Sequence, residues 1–307
     1  MLNILGKRYI FFAVSALIII PGIIVLAIYG LPFSIDFTGG ALLELQFTSG
    51  AMPTPSEIIK LYNDLGISDV QVQTSGTDIF LIRSALFEED LKTQIIDSLS
   101  QKYGSEPIVL RYDIVGPTIG KEVTRNAALA VAIAALGVVI YITYAFRGVQ
   151  HAARYGLCAI IAMLHDFLVV LSVSAIGGRF FGWQFDTLFL TAFLTVIGFS
   201  VQDKIVVFDR IRENSSIYRR LEFEKLANHS IVQTLQRSIN TQLMTSEFLL
   251  LALAFLGGVT LREFSVILLI GLFMGTYSSI FIAAPVLVIW ENKEWQRWFK
   301  GKKPIPA

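Results

Sequence analysis

Residues 9–35 are YIFFAVSALIIIPGIIVLAIYGLPFSI, a stretch without a charged side chain. A helix needs about 20 apolar residues to cross the hydrocarbon core of a bilayer. Lys7 and Arg8 precede the stretch, as basic residues do in secretory signal peptides. The stretch is longer than the apolar part of a signal peptide, however, and no small-residue cleavage site follows before Asp36. It therefore predicts a membrane-spanning helix.

The composition of the whole chain agrees with this prediction. Of the 307 residues, 54% are hydrophobic and 16% are charged, and the mean hydropathy is +0.63. An average soluble domain carries about 25% charged residues, so a soluble enzyme, a disordered protein and a free nucleic-acid binder are poor fits. The single cysteine, Cys158, lies in an apolar run and gives no disulfide framework. The sequence predicts an integral membrane protein.

Further apolar stretches follow the first, and they are long enough to span a bilayer as helices. They cover residues 126–146, 155–177, 187–208, 240–256 and 264–290. The stretch at 240–256 is the least apolar of these by hydropathy, and it carries the charged Glu247. The sequence thus predicts a polytopic α-helical membrane protein with six transmembrane helices.

The distribution of Lys and Arg predicts the orientation, because positive residues are enriched on the cytoplasmic side. With a cytoplasmic N-terminus, the inner flanks hold most of the positive residues outside 31–122: Lys7, Arg8, Arg147, Arg154, Arg210, Arg212, Arg219, Arg220, Lys225, Lys293, Arg297, Lys300, Lys302 and Lys303. The short outer connections hold only Arg179 and Arg262. Both termini are therefore predicted to lie in the cytoplasm.

An acidic block between the first two spans is predicted to fold outside the membrane. Residues 31–122 hold 13 Asp and Glu against 6 Lys and Arg, a charge of −7, and the rest of the chain carries +8. Hydrophobic spacing and turn residues predict strands at 41–47, 69–74, 78–82 and 108–115, with helices at 55–65 and 87–103. This β-α-β-β-α-β order predicts an extracytoplasmic α+β domain of the ferredoxin-like kind.

The predicted organisation has four parts. Residues 1–35 form the cytoplasmic N-terminus and first span, 36–122 the outer domain, 123–292 the remaining spans and 293–307 a basic cytoplasmic tail. Within the third part, residues 209–236 are expected to form a basic cytoplasmic loop. Such a segment is expected to be a solvated loop or a helix that lies on anionic lipid, with no role in binding nucleic acid.

Enzyme signatures are missing from the sequence. It contains no phosphate-binding or dinucleotide-binding glycine motif, no His-Glu-x-x-His motif and no pair of metal-binding cysteines. Its three histidines are His151, His165 and His229. We therefore expect no catalytic activity, no metal and no cofactor. Energy for any transport must come from a partner or from the membrane itself.

Asp203 is the leading functional candidate, because a carboxylate at membrane depth costs at least about 2.5–3.5 kcal/mol. It lies in the fourth span, next to the polar Gln202. Arg237, at the start of the fifth span, is the predicted cation facing it, since arginine stays charged. This arrangement predicts a carboxylate that gains and loses a proton. The alternatives are a buried ion pair that fixes helix packing and an interfacial arginine.

Other ionisable residues in the spans are secondary candidates. Lys204 follows Asp203 directly and is expected to face away from it and reach the cytoplasmic interface. His165 and Asp166, in the third span, predict either a proton relay or a polar contact between helices. Glu247 is a weaker candidate that would matter if the fifth helix faced a water-filled gap.

Several motifs in one order resemble the SecF subunits of the bacterial SecD–SecF protein-export complex. The resemblance covers nearly the whole chain and rests on the motifs Asp36-Phe37-Thr38-Gly39-Gly40, Val115-Gly116-Pro117, His165-Asp166, the run from Gly198 to Asn214, Arg237 with Asn240-Thr241, Gly257-Gly258 and Phe264-Ser265. Glu247 departs from the family, whose fifth helix usually lacks a charge there.

The resemblance implies a function and partners. It implies half of a resistance–nodulation–division type transporter in the bacterial inner membrane, with SecD as the other half. Such a complex is expected to use the proton gradient, beside the SecY–SecE–SecG channel, SecA and YajC, to pull or release polypeptide outside. The family's transmembrane acid and base fall on Asp203 and Arg237, and its glycine-rich motif on residues 36–40. A stand-alone proton-coupled small-molecule exporter and a structural subunit without ion coupling are the alternatives.

Overall fold

The apolar runs of the sequence form long helices in a computed structural model of the chain. The structure describes residues 3–48, 52–147, 152–242, 248–294 and 296. Among these residues, five helical segments are long and apolar enough to cross a membrane: Leu5–Tyr29, Pro117–Ala145, Ala152–Phe181, Thr187–Ile217 and Leu261–Glu291. They correspond to five of the six predicted spans. The other predicted span, 240–256, includes residues 243–247, which lie outside the described residues, and it stays a prediction.

The elements follow one another along the chain, beginning with a single 3-10 turn at Leu5–Lys7. They are α1 (Arg8–Tyr29), α2 (Ile35–Thr38), β1 (Gly40–Gln46), α3 (Pro55–Asp64), β2 (Gln71–Ser75), β3 (Ile79–Ser84), α4 (Glu89–Tyr103), β4 (Ile108–Val115), α5 (Pro117–Ala145), α6 (Ala152–Phe181), α7 (Thr187–Ile217), α8 (Phe223–Gln242), α9 (Phe248–Leu256), α10 (Val259–Ser278) and α11 (Ala284–Glu291). A π-helical turn, Ser279–Ala283, joins the last two helices.

The chain divides into two compact units. Unit 1 contains Met1–Gly30, Val131–Ile176 and Thr191–Ala307, and unit 2 contains Leu31–Ala130 and Gly177–Leu190. The predicted outer domain lies in unit 2. That unit also includes the connection between α6 and α7, which the sequence had assigned to the helical part, because this connection bonds to the segment before β1 and to β2.

Unit 2 is built on a four-stranded antiparallel sheet with strand order β2-β3-β1-β4. Its elements agree closely with the strands and helices predicted from hydrophobic spacing. Helix α3 begins with a capping box, in which Thr54 and Glu57 satisfy each other's backbone N–H groups, and with Pro55 in the first turn. Helix α4 ends at Gly104, which adopts the left-handed conformation that glycine tolerates best.

Alternation along β1 creates the core of unit 2. Leu43 and Leu45 point to the same face of the sheet, where they pack with Ile58 of α3 and Ile95 of α4. All four side chains are fully buried. The two helices therefore cover one face of the sheet, as the helical spacing of their apolar residues predicts.

Most of the predicted basic loop 209–236 is helical. Helix α7 continues to Ile217 and α8 begins at Phe223. Within α7, Asp209 pairs with Arg212 at 2.5 Å and Arg210 with Glu213 at 2.7 Å. Charge pairs three residues apart lie on one helix face and stabilise the helix. The appearance of charged residues after the apolar run therefore does not indicate where α7 ends.

Candidate functional site

Asp166 is the centre of a buried polar cluster in unit 1. Its carboxylate is 2% exposed and accepts hydrogen bonds from Lys204 Nζ at 2.7 Å, Ser200 Oγ at 2.6 Å and Ser278 Oγ at 2.7 Å. These groups belong to α6, α7 and α10, so the cluster joins three helices. A buried carboxylate needs such compensation, because taking an ion out of water costs several kcal/mol.

His165 completes the cluster from the same helix. Its Nδ1 lies 3.0 Å from Asp166 Oδ1, and its ring stacks on that of Tyr277 with centroids 6.2 Å apart. The Nε2 atom is buried and has no hydrogen-bond partner in the described part of the chain. An ionised carboxylate can only accept a hydrogen bond, so Nδ1 is the donor in the contact with Asp166.

The predicted position of Lys204 at the cytoplasmic interface is wrong. Lys204 is completely buried and bonds to Asp166 and to the hydroxyl and carbonyl of Ser200. It lies in the middle of α7, which continues far past the predicted end of the span. Ser200 and Lys204 are four residues apart, so both face Asp166 from one side of the helix.

Asp203 faces a different environment, although it precedes Lys204 directly. Successive residues of a helix differ by about 100° of rotation. Asp203 is half-buried, and its Oδ2 accepts a hydrogen bond from Thr276 Oγ1 at 2.6 Å. Thr276 belongs to α10, two residues before the Ser278 that serves Asp166. Asp203 therefore lies on a different side of α7 from Ser200 and Lys204, which bind Asp166.

Arg237 does not form the predicted direct pair with Asp203. It lies on α8 as an exposed residue, and within the described residues no ion pair of 4 Å or less joins the two side chains. The functional roles predicted for both residues stay predictions.

The remaining sequence candidates contribute less to this cluster. Gln202 is exposed on α7. Glu247 lies outside the described residues. Among the described residues, no three His, Cys, Asp or Glu side chains come together in a way that could hold a metal ion.

Glycines on α10 allow the close helix approach that positions these side chains. A Cβ at Gly271 would collide with the side chain of Val196, and one at Gly275 would lie 3.2 Å from Ser200 Cα. Larger residues at these positions would push α10 away from α7. Both glycines therefore help Thr276 and Ser278 to reach the acids.

The glycine motif at residues 36–40 is a close-packed joint in unit 2. Gly39 and Gly40 have φ angles of +80° and +138°, and a Cβ at Gly40 would lie 2.6 Å from Ser84 O. Gly120 on α5 also packs closely, since a Cβ there would lie 2.9 Å from Gly39 N. Only glycine fits such positions without strain. The motif therefore determines the direction of the chain between α2 and β1.

Asp36 of the same motif bonds to the start of α7. Its Oδ2 accepts the backbone N–H and the hydroxyl of Thr187, each at 3.0 Å. Asp186, the preceding residue, accepts the N–H of Phe189 at 2.7 Å. Burial raises the pKa of the Asp186 carboxyl, and the charge of Asp36 adds to the increase.

Sequence reasoning missed the hydroxyls that serve the acids. These hydroxyls belong to small residues in apolar helices, namely Ser200, Thr276 and Ser278. In a sequence, such residues predict only close packing of helices. The spacing of Ser200 and Lys204 was the available signal, because it puts a donor and a cation on one helix face. Nothing in the sequence indicated that Thr187 lies beside Asp36.

The fold and this polar core define a polytopic membrane protein with a small α+β domain after its first span. Residues 95–293 match the family described as protein export membrane protein SecD/SecF, C-terminal, and residues 24–51 match the SecD/SecF GG motif.

The chain belongs to the SecF family of protein translocase subunits, membrane components of the protein translocation machinery. It is 67% identical to the SecF subunit of Anaerolinea thermophila, with all of both chains covered. It is 35% identical to SecF of Synechocystis, over 95% of this chain and 93% of the relative. The SecDF protein of Bacillus subtilis is 34% identical over 94% of this chain and 38% of its own length.

Solved structures agree with this assignment. The crystal structure of SecDF from Thermus thermophilus, a translocon-associated membrane protein, has a TM-score of 0.82 at 31% identity and covers 95% of this chain. SecDF in its super-membrane-facing form has a TM-score of 0.68 at 30% identity and covers 97%. This chain spans 39–40% of those longer chains.

Proposed function

We propose that this chain is one half of a proton-driven complex that assists translocation and release of polypeptide outside the bacterial inner membrane. A SecD subunit is the other half, and Asp203 takes up and releases the proton. One observation carries the proposal: Asp203 accepts a hydrogen bond from the neutral Thr276, whereas Asp166 is bound by a buried lysine. A carboxylate without a bound cation can change its charge without leaving a cation unpaired.

Protonation of Asp203 couples to movement in this proposal. It removes the long-range attraction of Arg237 and lets α7 and α8 repack, and the outer domain then changes its grip on emerging polypeptide. Each charge crossing about 100 mV supplies about 2.3 kcal/mol. A near-complete switch between two states needs about 5.5 kcal/mol, so several protons are used in each cycle. For His165 and Asp166 we favour the polar contact between helices over a proton relay, because protonation of Asp166 would leave the buried Lys204 unpaired.

The proposed architecture has six spans with both termini in the cytoplasm. The sixth span is the predicted one at 240–256, and the positive residues on the inner flanks support the orientation. The strand order and antiparallel pairing of unit 2 support a ferredoxin-like outer domain.

The proposed partners follow from the resemblance and from exposed surface. SecDF relatives carry a region similar to this chain within one longer polypeptide, which supports a SecD partner. Helices α1 and α5 expose most of their apolar side chains to lipid or to such a partner. The SecY–SecE–SecG channel, SecA and YajC are the further proposed partners.

An acid-to-amide substitution tests the proton-carrier role. Asp203→Asn removes the titratable group and keeps an oxygen that accepts from Thr276. We expect proton-dependent translocation to be lost in vesicles that contain SecD and the channel. Asp209→Asn is the matched control, since Asp209 is an exposed acid on the same helix. Unchanged translocation in Asp203→Asn would leave a structural subunit without ion coupling as the better account.

A further inference from the structure

The residues just before β1 are joined to the residues just before α7 by a short parallel bridge. Ser34 N donates to Phe185 O at 2.9 Å, and Phe185 N donates to Pro32 O at 2.8 Å. The rings of Phe33 and Phe185 lie 6.1 Å apart at this bridge. All of these residues belong to unit 2, so the bridge is part of one compact unit.

Asp36 extends the bridge to the first residue of α7. The N–H groups in the first turn of a helix have no partner within the helix, and negative charge is favourable there. Asp186 caps the helix through Phe189 N, and Asp36 accepts the N–H and the hydroxyl of Thr187. The first turn of α7 is therefore held by a residue that is 151 positions away in the sequence.

Each of the two bridged segments leads directly into a longer element, the first into α2 and β1 and the second into α7. Only Gly39 separates α2, which contains Asp36, from β1. Helix α7 runs without interruption from Thr187 to Ile217 and contains Asp203. At 1.5 Å per residue, Asp203 lies about 24 Å along the helix from Thr187. A continuous helix transmits a displacement along its axis, because its backbone hydrogen bonds fix the rise per residue.

We propose that Asp36 is a positioning residue that couples α7 to β1. It keeps the first turn of α7 attached to the segment before β1, so that a shift of α7 reaches the outer sheet. This inference rests on the proposed proton-carrier function of Asp203. In this proposal Asp36 acts through its bonds to Thr187 and does not contact the exported polypeptide.

The Asp36→Ala variant tests the coupling, because it removes both bonds to Thr187. We expect proton-dependent translocation by the full chain, reconstituted with SecD and the channel, to fall about tenfold. A pH-sensitive dye in the same vesicles should show unchanged proton uptake, since Asp203 and Thr276 are intact. Normal translocation by Asp36→Ala would overturn the proposal. If instead Asp203 were not the proton carrier, Asp203→Asn would leave both translocation and proton uptake unchanged. That result is distinguishable from a failure of the Asp36 proposal.

Cross-linking separates positioning from a general loss of structure. In the background of Asp36→Ala, the pair Phe33→Cys and Phe185→Cys can be joined by a short bifunctional thiol reagent. Cys158 is fully buried and does not compete. We expect the cross-link to restore most of the lost translocation, whereas a cross-link that restores nothing would contradict the proposal.

Substitutions of Thr187 test the same coupling of α7 to β1 if Asp36→Ala fails to fold. Thr187→Ser keeps both bonds to Asp36, and Thr187→Val keeps the side-chain size but loses the hydroxyl. We expect translocation to be normal in the first variant and reduced in the second, with proton uptake unchanged in both. Equal translocation by the two variants would contradict the proposal.

Discussion

Asp166 and Asp203 are two acids in neighbouring membrane helices, and they differ in nearly every contact. Asp166 is 2% exposed and accepts bonds from a lysine, two serines and a histidine. Asp203 is half-buried and accepts a bond from one threonine. Helix α10 supplies a donor to each acid, so the difference arises on α7, where Ser200 and Lys204 face Asp166 of α6 and Asp203 lies on another side of the helix.

The comparison indicates which acid is free to change charge. Protonation of Asp166 would leave Lys204 as a buried cation without a counter-ion, and an unpaired buried charge is strongly unfavourable. Protonation of Asp203 leaves no buried cation behind. In the proposed function, Asp166 is therefore one member of a buried ion pair that joins three helices, and Asp203 is the acid that titrates.

Removal of the lysine is expected to have the largest effect. Lys204→Met keeps the length of the side chain but leaves Asp166 buried without its cation. We expect a loss of about 3–5 kcal/mol in the free energy of unfolding, measured by thermal unfolding of the full chain in detergent. An unchanged melting temperature would mean that the two groups do not form an ion pair.

The charge-neutral double variant is the control for this measurement. Lys204→Met combined with Asp166→Asn removes both charges and leaves the new amide with partners at Ser200 and Ser278. We expect it to regain most of the stability lost in Lys204→Met, because neutralising both members of a buried pair is often close to neutral in energy. A double variant as unstable as the single one would point to lost packing instead.

Most of the fold could be predicted from the sequence, because its signals are local. The apolar run 9–35 is long enough for a span, and alternation in 41–47 puts Leu43 and Leu45 on the face of β1 that packs in the core. Helix ends were less predictable. Helix α7 continues past the apolar run to Ile217 because its charged residues pair along the helix, and a charge count does not distinguish this from a loop.

The site was only partly predictable, because its contacts are remote in sequence. Asp166 and Lys204 are 38 positions apart and Asp36 and Thr187 are 151 apart. The energetic cost of a buried charge indicates that Asp166 and Asp203 are important. It does not indicate which of the two carboxylates forms an ion pair with a buried cation. That depends on the rotation of α7, which one sequence does not fix.

Two hydroxyls of α10 allow one donor to be removed from each acid. Thr276→Val takes away the donor of Asp203, and Ser278→Ala takes away one of several donors of Asp166. Each change is expected to cost about 1 kcal/mol in unfolding free energy. Only Thr276→Val should alter proton-dependent translocation, and Thr276→Ser should behave as wild type. An equal effect of both on translocation would remove the distinction between the two acids.

Asp203→Asn is expected to change stability very little. The amide oxygen of asparagine can still accept the hydroxyl of Thr276, and Asp203 has no ion pair within 4 Å in the described structure. The unfolding free energy should therefore change by less than about 1 kcal/mol. A loss as large as that of Lys204→Met would show that Asp203, too, is a structural charge.

Glu57 in unit 2 shows what an exposed charge contributes and should give the smallest effect. Its pKa is lowered to about 2, first by the backbone N–H of Thr54, then by the hydroxyl of Thr54 and by Lys102. Because the folded pKa is below the ordinary value of 4.5, the stabilisation is present above about pH 4.5 and is lost as the pH falls towards 2.

Glu57→Gln should therefore lower the melting temperature at pH 7 and have a smaller effect at pH 3. Thermal unfolding of the full chain at several pH values measures this difference. Lys102→Gln should have less effect than Glu57→Gln at pH 7, because the bond to Thr54 N is the larger cause of the lowered pKa and the pair with Lys102 is solvated. We expect Lys102→Gln to lower the melting temperature far less than Lys204→Met, because Lys102 is exposed and Lys204 is buried. Equal losses in the two variants would contradict the importance of burial for the pair of Asp166 and Lys204.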